Sequence, residues 1–80
     1  MDPPKFTFVN NNTLIVINSK GKMRQLFTPF KVQVLRDTAY FKENSWVVVE
    51  EIRQHPQHIL IYRVINQWWP YFIFKIDVRF

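Results

Sequence analysis

The residues able to do chemistry are few, and their spacing limits what they can do. His55 and His58 stand three apart across Pro56, a short distance from Glu50 and Glu51. Imidazole and carboxylate are zinc donors, but zinc sites draw three or four protein ligands together. One His-x-x-His in a turn, with no second pair nearby, predicts two exposed turn histidines and no metal site. Glu50 and Glu51 are adjacent, so on a strand they point to opposite faces, whereas a general acid and base must flank one cleft. One of the two is expected outward, and the other to mark a bulge or pair with Arg63. The chain has no Cys to act as a nucleophile, and its single glycine, Gly21, cannot build a phosphate cradle. The expectation is a non-catalytic protein without a cofactor.

Charge is the most uneven feature. The formal net charge is +5, and residues 20 to 36 hold Lys20, Lys22, Arg24, Lys31 and Arg36 with no acid among them. The other six of the eleven basic residues balance the six acidic ones, so the whole excess lies in this stretch. Together with Gln33 these residues form a candidate basic face. Such a face steers polyanions and releases counterions as it neutralises phosphates. Lysines on strand faces also guard sheets against edge-to-edge association, and both uses fit the pattern.

A second candidate patch is aromatic: Tyr40, Trp68, Trp69 and Tyr71. Neighbours in an extended segment face opposite ways, so Trp68 and Trp69 cannot both enter one core unless Pro70 bends the chain. An exposed ring there could stack on nucleic-acid bases or receive a proline-rich peptide. The core is expected to claim at least one of the two rings.

The elements that position these residues read as strands. Apolar residues recur at period two or in short β-branched runs, not at the i, i+3, i+4, i+7 spacing of an amphipathic helix. Seven strands are predicted, at 5–9, 13–18, 22–27, 30–35, 46–53, 58–65 and 71–79. Asn10-Asn11-Asn12, Ser19-Lys20-Gly21, Thr28-Pro29 and His55-Pro56-Gln57 separate them with residues that tolerate or pre-set turn dihedrals. With Lys20-Gly21 and Thr28-Pro29 as two-residue turns, one face gathers Leu14, Val16, Met23, Phe27, Phe30, Val32 and Val34, broken only by Gln25. A three-residue Asn10 to Asn12 loop adds Phe6 and Phe8 to it. The opposite face then carries Ile15, Ile17, Lys22, Arg24, Leu26, Lys31, Gln33 and Leu35.

In the second half, residues 46–49 and 59–62 are apolar on both faces, as in strands covered on both sides. The last strand alternates, with Phe72, Phe74, Ile76 and Val78 inward and Lys75, Asp77 and Arg79 outward. Residues 36–45 make a long connection, in which Tyr40 or Phe41 is expected to be pinned to the core.

Eighty residues with 48% hydrophobic content suffice for one core and one domain. A core so small needs large side chains, and eight Phe, three Trp and three Tyr supply them. The absence of Cys rules out disulfide staples and favours a cytoplasmic home. Met1-Asp2-Pro3-Pro4-Lys5 lacks the pattern of an export signal. No apolar run is long enough to span a bilayer, so a soluble protein without membrane contact is expected.

Short strands at regular spacing predict an all-β antiparallel barrel or sandwich of six or seven strands. With the late segment Trp69-Pro70-Tyr71, the chain resembles the SH3-like barrel superfold, whose peptide-binding members line a groove with Trp, Pro and Tyr. It lacks the Ala-Leu-Tyr-Asp-Tyr type motif of that family, and an OB-like barrel or two-sheet sandwich accommodates the same strands. The functional expectation is an interaction module or small accessory subunit that binds another protein, a second copy of itself included. The alternative is a small basic barrel that binds DNA or RNA through the basic face and the aromatic patch.

Overall fold

A computed structural model of the chain describes residues 5–79; the reading of Met1 to Pro4 lies outside them. The described residues form nine strands: β1 (Lys5–Asn10), β2 (Thr13–Ile17), β3 (Met23–Phe27), β4 (Phe30–Val34), β5 (Trp46–Val49), β6 (Glu51–His55), β7 (Ile59–Val64), β8 (Gln67–Pro70) and β9 (Phe74–Ile76). They make three antiparallel sheets in the orders β1-β2-β3, β5-β4-β9 and β6-β7-β8. The all-β expectation holds. The sheets do not close into a barrel: among the described residues no ladder joins any of the three to another.

The N-terminal hairpin follows the expected register. Phe6 lies opposite Val16 and Phe8 opposite Leu14, and Val9 is accommodated as a bulge before a turn at Asn11-Asn12. The third strand does not. Ile17 lies opposite Met23 and Val16 opposite Arg24, one residue away from the predicted alignment. Asn18 is the cause. Its Oδ1 accepts the N–H groups of Lys20 and Lys22, both at 2.9 Å, and its N–H donates to the Lys22 carbonyl. The turn therefore spans 18–22, with Gly21 at φ +81°, instead of the two residues Lys20-Gly21. A slip of one residue exchanges the faces of a strand. Met23 and Phe27, expected inside, are 61% and 60% exposed, while Leu26, expected outside, packs against the core.

The chain then turns a corner at Thr28-Pro29, where the peptide bond is cis. The strands on either side do not pair, so the predicted continuous meander through β4 is replaced by two separate sheets. β4 runs between β5 and β9, with Val32 opposite Val47 on one side and Ile76 on the other.

The predicted strand 46–53 breaks at Glu50 into β5 and β6, which belong to different sheets. The segment Gln67–Pro70, assigned to no strand, is β8 and pairs with β7 through Tyr62 opposite Trp69. Tyr71–Ile73 forms a single 3-10 turn where the last strand was expected to begin. That turn shifts the inward row: Ile73 is buried and Phe72 is 44% exposed.

The core gathers alternate residues from all three sheets, as the period of two demands. Leu14, Val16, Val32, Val34, Val49, Ile52, Leu60, Tyr62, Val64 and Phe74 are buried, joined by Ile73 and by Phe41 from the 36–45 connection. Phe41 is pinned as expected, and Thr38 holds that loop with its Oγ1 accepting the N–H groups of Tyr40 and Phe41. Tyr62 sits centrally, with its ring 6.0 Å from Phe30 and 6.1 Å from Phe74. Each such side chain contributes roughly 1.5–3 kcal/mol by leaving water. No helix among the described residues is long and apolar enough to cross a membrane.

Candidate functional site

The open side of the fold leaves a cleft of about 250 Å³ between the inner face of the first sheet and β9. Phe6 and Val16 form one wall, and Phe74, Lys75 and Ile76 the other; Leu35 and Val78 complete it. Strand alternation brings four of these residues to the cleft. Phe6 and Val16 are opposite one another across β1 and β2, while Phe74 and Ile76 face the same side of β9 on either side of Lys75. Leu35 follows the last residue of β4 and is 46% exposed. The walls are apolar, and nothing in the described residues fills the space.

The rim is basic. Arg24 lies directly opposite Val16, and its Nε donates to the Arg79 carbonyl at 2.8 Å, holding the segment after β9 against the first sheet. Arg36 follows Leu35, with its guanidinium 6.0 Å from the Phe72 ring. Among the described residues, ion pairs involve only Glu51, with Arg53 at 3.9 Å and Arg63 at 3.5 Å. Of the two glutamates, one was expected outward and the other at a bulge or paired with Arg63; Glu51 makes that pair, and Lys75 makes no ion pair among those residues.

The sequence-predicted basic face is not assembled as a single surface. Lys20 and Lys22 occupy the turn after β2, and Arg24 lies on β3 opposite Val16. Lys31 and Gln33 project from the outer face of β4, opposite Val48 and Trp46, where the Gln33 Nε2 donates to the Asn44 carbonyl at 3.3 Å. Two events scatter them: the Asn18-capped turn that shifts β3, and the corner at Thr28-Pro29 that separates β3 from β4. The outer face of the first sheet carries Ile15, Ile17, Met23 and Phe27 in place of the expected mixed basic and aliphatic row.

The aromatic residues divide in the way neighbouring positions on a strand must. Trp69 turns inward, 5.0 Å from the Phe41 ring, and its Nε1 donates to the Val64 carbonyl at 3.1 Å. Exposed Tyr40 meets Trp69 edge-on at 5.5 Å. Trp68 lies on the other face, capped by the Arg53 guanidinium at 4.7 Å. Tyr71 packs edge-on against Phe6 at 6.1 Å. So the predicted patch is three separate environments: Tyr40 with Trp69, Trp68 with Arg53, and Tyr71 beside the cleft.

His55 and His58 stack at 4.7 Å. The His55 Nδ1 accepts the N–H groups of Gln57 and His58 at 3.1 and 3.2 Å, so this imidazole caps a turn. Among the described residues no group of three or more His, Cys, Asp or Glu is placed to hold a metal.

Sequence reading placed Phe74, Ile76 and Val78 in a closed core and Leu35 on an outward face. Their alternation with Lys75, Asp77 and Arg79 marks a strand with one apolar side, but a pattern of period two does not reveal whether another element covers that side. In comparisons with protein-family models, with curated proteins and with solved structures, the chain matches none.

Proposed function

We propose that this chain is a non-catalytic interaction module that binds a segment of another protein in the cleft between the first sheet and β9. The observation that carries this reading is the cleft itself: an apolar space of about 250 Å³, lined by Phe6, Val16, Leu35, Phe74, Ile76 and Val78 and left open by a barrel that does not close. Apolar side chains that fill it leave water, each with a favourable contribution of roughly 1.5–3 kcal/mol. An SH3-like relationship and a cytoplasmic setting belong to the same proposal. They rest on the late Trp69-Pro70-Tyr71 segment and on the absence of Cys. The nucleic-acid alternative draws on Lys20, Lys22, Arg24, Lys31 and Arg36; what weighs against it is their dispersal over two sheets and a turn.

Selection from displayed random 12-residue peptides tests the reading. The protein is expected to enrich a peptide family whose binding weakens at least tenfold in Leu35→Asn, a variant of a half-exposed residue outside the core. Failure to enrich any peptide, or enrichment indifferent to Leu35→Asn, contradicts it.

A further inference from the structure

Resting on that reading of the cleft, we infer that its occupant is an extended segment with alternating apolar and acidic residues, which adds as a strand along the free edge of β9. The hydrogen-bond alternation of β4 defines that edge. Val34 N–H donates to the Ser45 carbonyl at 2.8 Å, on the β5 side, and Leu35 N–H to the Ile73 carbonyl at 2.9 Å, on the β9 side. Antiparallel ladders alternate, so Gln33 exchanges its bonds with Lys75, its register partner. The Ile76 N–H and the carbonyls of Phe74 and Ile76 consequently face away from β4. The Phe74 N–H is already closed onto the Tyr71 carbonyl, but among the described residues no backbone bond reaches Ile76 from that side. An extended peptide supplies the matching donors and acceptors, the mode by which strands add to exposed sheet edges.

The side chains and charges of the occupant follow from the same geometry. Successive side chains of an added strand point to opposite faces, so every second one meets the apolar wall of Phe6, Val16 and Ile76. The residues between them project to the outer side of β9, where exposed Lys75 makes no ion pair among the described residues. Asp77 is the one acid on this strand segment, and it lines a depression on the outer side with Gln33, Trp46 and Lys75 itself, at a separation that makes no ion pair among the described residues. Acidic side chains on the occupant complement Lys75, and the net charge of +5 steers their approach. A nucleic acid presents phosphates but no row of amide groups to match the β9 edge.

Fluorescence polarisation with a labelled eight-residue peptide carrying Val and Glu at alternate positions tests the inference. Saturable binding is expected. It should weaken at least tenfold when Lys replaces each Glu, and again when the amides at alternate positions are N-methylated. Lys75→Glu, a change at an exposed position, should weaken it in the same direction, with the folded state confirmed by circular dichroism. Equal binding of the Lys peptide removes the acidic partner, and equal binding of both N-methylated registers removes strand addition. Displacement of the peptide by an equimolar single-stranded oligonucleotide also overturns the inference. If the Val-Glu peptide fails while displayed peptides bind in a Leu35-dependent way, this inference falls and the cleft reading stands. If neither binds, both fall.

Discussion

The Tyr62 hydroxyl is buried and has no hydrogen-bond partner among the described residues. Burial, with a smaller contribution from Tyr71, raises its pKa above the ordinary tyrosine value. An unpartnered buried polar group is a cost, so Tyr62→Phe is expected to leave stability unchanged or raise it by about 1 kcal/mol in urea unfolding. The pH dependence has a definite sign. A folded-state pKa above the unfolded one means that the unfolded chain gives up this proton first as pH rises. The stability tied to the neutral phenol is complete below about pH 10 and declines above it; Tyr62→Phe should flatten that decline. A steeper alkaline loss in the variant would contradict this role. At Ile65 the backbone carries the cost. Ile65 and Asn66 have φ of +51° and +57°, a hairpin turn with both central residues in the left-handed region, which favours Asn and Gly. A β-branched side chain is disfavoured there, and Ile65 is 61% exposed, so its packing does not offset the strain. Ile65→Asn should raise the unfolding free energy by roughly 1 kcal/mol, and a lower midpoint would show that the side chain matters more than the turn.

At the scale of elements, turns decide what each strand presents. Asn18 sets the register of β3 through the two N–H groups held by its side chain. Removing both bonds in Asn18→Ala should cost about 1–2 kcal/mol, read from chemical denaturation; an unchanged midpoint would assign the register to the strands alone. This element also shows what was legible beforehand. Most of the strands, and the opposite facing of neighbours such as Trp68 and Trp69 when the chain stays extended, followed from period two; the inward pairing of Phe6 and Phe8 followed from the length of the Asn loop, and the anchoring of Tyr40 or Phe41 from the need of a small core for aromatic rings. The β3 register did not, because Ser19-Lys20-Gly21 reads as a tight turn until the Asn18 side chain is seen to enlarge it. Nor did β8, since Trp68-Trp69-Pro70 reads as a bend; proline is tolerated there because β8 ends its sheet, with β7 alone beside it. The basic residues were legible as a cluster in sequence and not as a surface, because membership of separate sheets is a tertiary property.

The whole molecule is a single core wrapped by three short sheets, measuring 36 × 25 × 23 Å. No ladder joins the three sheets among the described residues, and beside β9 the apolar walls of a cleft meet solvent next to an edge strand with backbone groups to offer. Exposed Lys75 on that strand disfavours pairing with a second copy, a common protection of sheet edges, while leaving an acidic strand a matching charge. The outward face of the first sheet mixes Ile15, Ile17, Met23 and Phe27 with Lys5, Thr7, Thr13 and Gln25, and no cleft lies beside it among the described residues. Openness at β9 is therefore the central claim, and amide hydrogen exchange of the free protein tests it most directly. The Lys75 amide, bonded to β4, should be protected, whereas the Ile76 amide should exchange near the rate of an unstructured chain. An Ile76 amide as well protected as that of Lys75 would mean that the edge is already occupied and the cleft closed.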